Sequence, residues 1–80
     1  MHQAHHMKTL TLTQFDQIQI FATAQALDCA KDGLFLTHPR SIRHTALVWL
    51  TKVGIEVSPK AKWSTLHKEF SEAFAQIIKK

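Results

Sequence analysis

Eighty residues, 45% hydrophobic and 20% charged, leave room for one domain whose core only just outweighs chain entropy, and the composition is that of a folded chain rather than a disordered one. The longest apolar run, Ala46-Leu47-Val48-Trp49-Leu50, falls far short of the roughly 20 residues that cross a bilayer, which argues against a membrane protein. The formal charge of +4 points toward an anionic partner, although surplus lysine also serves solubility.

Residues 1–8 have no apolar periodicity and read as a flexible tail carrying His2, His5 and His6. Neighbouring histidines without oriented support make a poor metal site, so no metal or other cofactor is expected. The stretch also lacks the basic start and apolar run of an export signal, and the one cysteine, Cys29, has no internal disulfide partner. A cytoplasmic location is the expectation.

Residues 9–80 are expected to form a single all-α domain, a compact three-helix bundle with helices at about 12–32, 39–53 and 59–79. Thr11-Leu12-Thr13-Gln14 fits a capping box, with Leu10 and Phe15 at the positions of a hydrophobic staple. Gly33 supplies the left-handed residue that ends the first helix. At about 100° per residue, Phe15, Ile18, Phe21, Ala22, Ala26 and Cys29 fall on one side of it and Ile20, Ala24 and Leu27 on the other. A helix with two apolar sides either sits between two neighbours as a central core helix, the favoured expectation, or keeps a second face for a partner, for which Ile20, Ala24 and Leu27 are the candidate interface.

Leu34-Phe35-Leu36 reads as a connection packed under the bundle. Pro39 suits the first turn of the second helix, with Thr37 or His38 as cap. Ile42, Ala46, Trp49, Leu50 and Val53 form one buried stripe, and Gly54 closes the helix. Ser58-Pro59 predicts the start of the third helix, with Ser64 as the alternative. Trp63, Leu66, Phe70, Ala73, Phe74 and Ile77 form its apolar face, and Lys79 and Lys80 suit its C-terminal dipole.

The charge is unevenly placed. Residues 1–40 balance three bases with three acids, whereas residues 41–80 hold seven bases against three acids; between Arg40 and Lys68 only Glu56 is acidic. The junction Leu47 to Lys60 resembles the cadence of a helix-turn-helix, with Gly54 as the turn and Val53 and Ile55 as locking aliphatics. It departs from that pattern in carrying Leu50 where a small residue is usual, the extra residues Glu56-Val57, and Lys62 where an aliphatic is usually buried. The resemblance implies nucleic-acid contacts from Arg40, Arg43, His44, Lys60, Lys62, Ser64 and Lys68. Without an arginine beyond Arg43, those contacts would be to phosphates, with little sequence preference.

No enzymatic activity is expected. Cys29 lies on an apolar stripe, where thiols pack rather than react, and no serine elbow or glycine-rich phosphate cradle occurs. The leading expectation is a non-enzymatic module that binds double-stranded nucleic acid. The alternative is a protein adaptor or inhibitor, of the kind compact mobile elements encode, which docks on an acidic protein surface or through apolar faces of helix 1 or helix 3. A homodimer is compatible with either.

Overall fold

The computed structural model describes residues 11–78, which fold into three helices, α1 (Gln14–Ala30), α2 (Pro39–Lys52) and α3 (Trp63–Ile78). Each helix touches the other two, so the protein is an all-α three-helix bundle. The tail at residues 1–8, with its histidines, lies outside the described residues, as do Leu10, Lys79 and Lys80.

The start of α1 is fixed by a capping box two residues beyond the one that Thr11 and Gln14 suggest. Thr13 Oγ1 accepts from the Asp16 amide at 3.0 Å, and the Thr13 amide donates to Asp16 Oδ2 at 3.1 Å. Thr13 displaces Thr11 as cap because its partner three residues on is a carboxylate, which both accepts strongly and meets the positive end of the helix dipole. At the other end Gly33 (φ 84°) turns the chain, with its amide bonded to the Ala30 carbonyl and the Leu34 amide to Cys29. Gly54 (φ 86°) repeats the device after α2: Gly54 donates to Thr51 and Ile55 to Leu50, the paired bonds of a Schellman turn. α2 itself starts on His38, whose Nδ1 accepts from the Arg40 amide at 3.2 Å, with Pro39 in the first turn.

The core is built from Ile20 and Leu27 of α1, Ile42, Ala46, Trp49 and Leu50 of α2, Val53 just beyond it, and Leu66, Phe70, Ala73 and Phe74 of α3. The stripes expected on α2 and α3 are the ones buried. Trp49 meets Phe74 edge-on at 5.9 Å, and Phe74 packs on Phe70 at 4.7 Å, arrangements aromatic quadrupoles favour.

On α1 only one of the two apolar sides is buried, and it is the one that carried the candidate partner interface. Ile20 and Leu27 are 1% and 0% exposed, whereas Phe15, Ile18 and Phe21 are 65%, 62% and 57% exposed. The core already holds Trp49, Phe70 and Phe74, and α1 fits against them through Ile20 and Leu27, with the smaller Thr23 between them and Ala30 after them, both buried. Close packing leaves no room there for two further phenylalanines. Thr23 tolerates burial because its hydroxyl donates to the Gln19 carbonyl at 2.8 Å.

The path between α2 and α3 also differs from the expectation. α3 begins at Trp63, within one residue of the Ser64 alternative, so Ser58-Pro59 is not its start. The ten residues 53–62 lead back along α2: Val57, Ser58 and Pro59 border Leu47 and Thr51, and Pro59 and Ala61 reach Arg43. α2 and α3 therefore share a direction, with Arg43 beside Trp63 at one end and Trp49 beside Phe74 at the other. α1 runs antiparallel to α3, its Asp28 near His67 and its Ile20 and Phe21 near Phe74 and Ala75. Half-buried Ile55 and Val57 alternate with exposed Glu56 and Ser58, the pattern of an extended strap over the core. Ser-Pro serves a turn instead of a helix: Ser58 Oγ accepts from the Lys60 amide at 3.1 Å and the Ser58 carbonyl from Ala61 at 3.0 Å. The same residues suit both roles, since proline fixes φ for a turn as well as for a first helical turn.

Candidate nucleic-acid interface

The basic residues are organised around Arg43. Arg43, Ala46, Leu50 and Val53 recur at helical spacing, and the last three are fully buried, so the arginine stands at the edge of the core. Its Nη1 donates to the Pro59 carbonyl at 3.0 Å and to the Ala61 carbonyl, and its guanidinium lies 4.3 Å from the centroid of the Trp63 ring. Trp63 in turn meets Phe35 edge-on at 5.5 Å. The guanidinium fork suits this role: it satisfies two strap carbonyls and stacks on an aromatic face at once.

Arg43 is therefore tied to the fold through Nη1 and the face of its guanidinium, a structural role that the sequence reading did not give it. What it does is hold the strap against α2. With Ala61 half-buried, Lys60 and Lys62 are left exposed on either side of it. Both lysines stand on the connection, not on a reading helix, because the strap uses up the residues that a short helix-turn-helix turn of about three to four residues would have placed in the second helix. Gly54 still makes the turn, and Val53 and Ile55 still pack inward.

Arg40 and His44, one turn apart on α2, are exposed and line a shallow polar depression with His38, Ser41 and Thr45. Ser64 and Lys68 are also exposed, but they share a face of α3 with Ser71 and Ala75, which border a groove against α1. The structure thus links Arg43 with the strap that carries Lys60 and Lys62, and sets Arg40 one turn before Arg43 on α2, while Ser64 and Lys68 lie on the strip of α3 that continues to Ser71 and Ala75. Between Gly33 and Lys68 the sequence has a single acid, Glu56. The exposed acids near α3 include Asp28, which sits 3.7 Å from Lys31 Nζ and 3.3 Å from His67 Nε2. The contact with His67 joins α1 to α3, one turn along α3 from Trp63.

The apolar partner interface assigned to Ile20, Ala24 and Leu27 is not a surface. Ile20 and Leu27 are core, and only Ala24 is partly accessible, lining a groove of about 370 Å³ with Phe21, Ser71 and Ala75 among its walls. The exposed apolar residues of α1 are Phe15, Ile18 and Phe21, and those of the α1–α2 connection are Leu34, Phe35 and Leu36 at 62%, 43% and 63% exposure. The connection is consequently not packed under the bundle. The glycine turn at Gly33 directs it outward, and only Phe35 finds a partner in Trp63. Sequence reasoning missed Trp63 and Phe35 as supports of the basic cluster, although the spacing of Arg43 with Ala46, Leu50 and Val53 was a usable signal.

Among the described residues no three His, Cys, Asp or Glu side chains gather in a way that could hold a metal ion, and no helix is long and apolar enough to cross a membrane. No protein-family model, curated protein or solved structure matches the chain.

Proposed function

We propose that the protein is a non-enzymatic module that binds the phosphate backbone of double-stranded nucleic acid with little sequence preference. The observation that supports this reading is the Arg43 clamp, which holds Lys60 and Lys62 exposed beside the first turns of α2, where Arg40 and His44 are also exposed. A fixed group of cations loses less freedom on meeting phosphates than lysines on a loose loop, and each phosphate neutralised releases counterions. Exposed strap lysines suit backbone contact, whereas base reading calls for a helix or ribbon in a groove.

The test is fluorescence anisotropy of a labelled random duplex titrated across a range of salt concentrations. With Arg40, Lys60 and Lys62 engaged, the slope of log K against log salt should be about −3, at about −0.9 per phosphate. The pair Lys60→Glu and Lys62→Glu should weaken binding more than tenfold and flatten the slope, with helicity unchanged. Absence of binding at low salt, or binding unaffected by the paired change, would refute the reading.

A further inference from the structure

The outer face of α1 is the largest feature that the basic cluster leaves unexplained. Phe15, Ala22 and Cys29 recur every seven residues with Ile18 and Gln25 between them, a seam of the kind that pairs helices. Phe15, Ile18 and Ala22 are exposed, as are Gln14, Phe21 and Gln25 around them. Between Gln14 and Leu27 the helix carries one charge, Asp16, and that carboxylate is held in the capping box. The residues along the seam also diminish in size: Phe15 and Ile18 fill the first half, Ala22 stands at the midpoint of α1, and Ala26 and Cys29, both half-buried, follow in the second half.

We propose that this face is the interface of a homodimer in which α1 packs antiparallel against α1 of a second copy, with Ala22 at the two-fold axis. In that register Phe15 of each copy lies over Cys29 of the other, and Ile18 over Ala26. Large side chains thus meet small ones across the pair, as close packing requires, and the alanine at the axis lets the backbones approach. A parallel pair would set phenylalanine against phenylalanine at one end and small residues against small at the other, leaving a gap.

Charge favours the same occupant. α1 carries no Lys or Arg between Gln14 and Ala30, and Lys60 and Lys62 stand on the strap, so two chains of net charge +4 meet on uncharged side chains, with Arg40 and His44 beyond the Ser41 and Thr45 edge of the seam. The area is adequate for a weak specific dimer. Phe15, Ile18 and Phe21, 65%, 62% and 57% exposed, have on the order of 100 Å² each left to cover, which with the flanking glutamines brings the pair toward roughly 1,000 Å² in total, the lower bound for a specific interface.

The experiment is oxidative cross-linking of the full chain in the absence of nucleic acid, read on a non-reducing gel, beside sedimentation equilibrium from low to high micromolar protein. Phe15→Cys, with native Cys29 kept, should give a covalent dimer, and so should Ala22→Cys combined with Cys29→Ala. The unaltered chain, and Phe15→Cys combined with Cys29→Ala, should not, because those thiols sit at opposite ends of the pair. Ala22→Glu, which places two carboxylates at the axis of an otherwise exposed position, should weaken the dimer at least tenfold with unchanged circular dichroism. Sedimentation as a monomer throughout, or cross-linking of the unaltered chain through Cys29 alone, would overturn the proposal.

Discussion

α3 and α1 contain similar numbers of large apolar side chains, yet they use them differently. On α3 they lie on one face, and Leu66, Phe70 and Phe74 are buried. On α1 they lie on both faces, and the structure buries the smaller set while leaving two phenylalanines and an isoleucine in solvent. A helix with one apolar face has its orientation set by hydrophobicity alone. A helix with two is oriented by shape, because the cost of forcing excess volume into a filled core exceeds the gain from hiding more area.

The widest gap between the two regions should appear on truncation. Phe70→Ala should destabilise the fold by about 3–5 kcal/mol and Leu27→Ala by about 2–5 kcal/mol in chemical denaturation. Phe15→Ala should stay within about 0.5 kcal/mol at protein concentrations low enough to keep the chain monomeric. A loss from Phe15→Ala as large as that from Leu27→Ala would show that α1 is turned the other way.

Arg43 joins the strap to α2, and its loss should come next in size. Arg43→Ala removes a charged donor from two carbonyls and a stack on Trp63, and should cost about 2–3 kcal/mol. Arg43→Lys should recover little of it, since an ammonium lacks the planar fork. Full recovery by lysine would mean that charge, not geometry, holds the strap.

The smaller effects concern the ends of α1. Thr13→Ala should cost about 1 kcal/mol through loss of the cap, whereas Thr11→Ala should be close to neutral; the reverse order would restore the capping box first suggested by Thr11 and Gln14. Asp28→Asn, which removes contacts with Lys31 and His67 from a carboxylate that is 63% exposed, should change stability by less than about 1 kcal/mol.

Some of the basic cluster was legible before the fold was known. The excess of bases after Arg40 is read directly from the sequence, and the exposure of Arg40, His44, Ser64 and Lys68 follows from positions off the apolar stripes of α2 and α3, whereas Lys60 and Lys62 are exposed on the strap. The role of Arg43 was not, because the carbonyls it binds belong to residues sixteen and eighteen positions along the chain. Long-range bonds of this kind leave no periodicity to read.

Local chemistry was sufficient to specify three helices, the two glycine turns and the buried stripes of α2 and α3, because caps, left-handed glycines and single apolar faces act over a few residues. Tertiary structure decided which face of α1 is covered, that Ser58-Pro59 makes a turn, and that the following strap returns along α2 before α3 begins. Those choices depend on the volume already present in the core and on carbonyls that find a donor only once α2 and α3 are side by side, and neither is a property of any short stretch of chain.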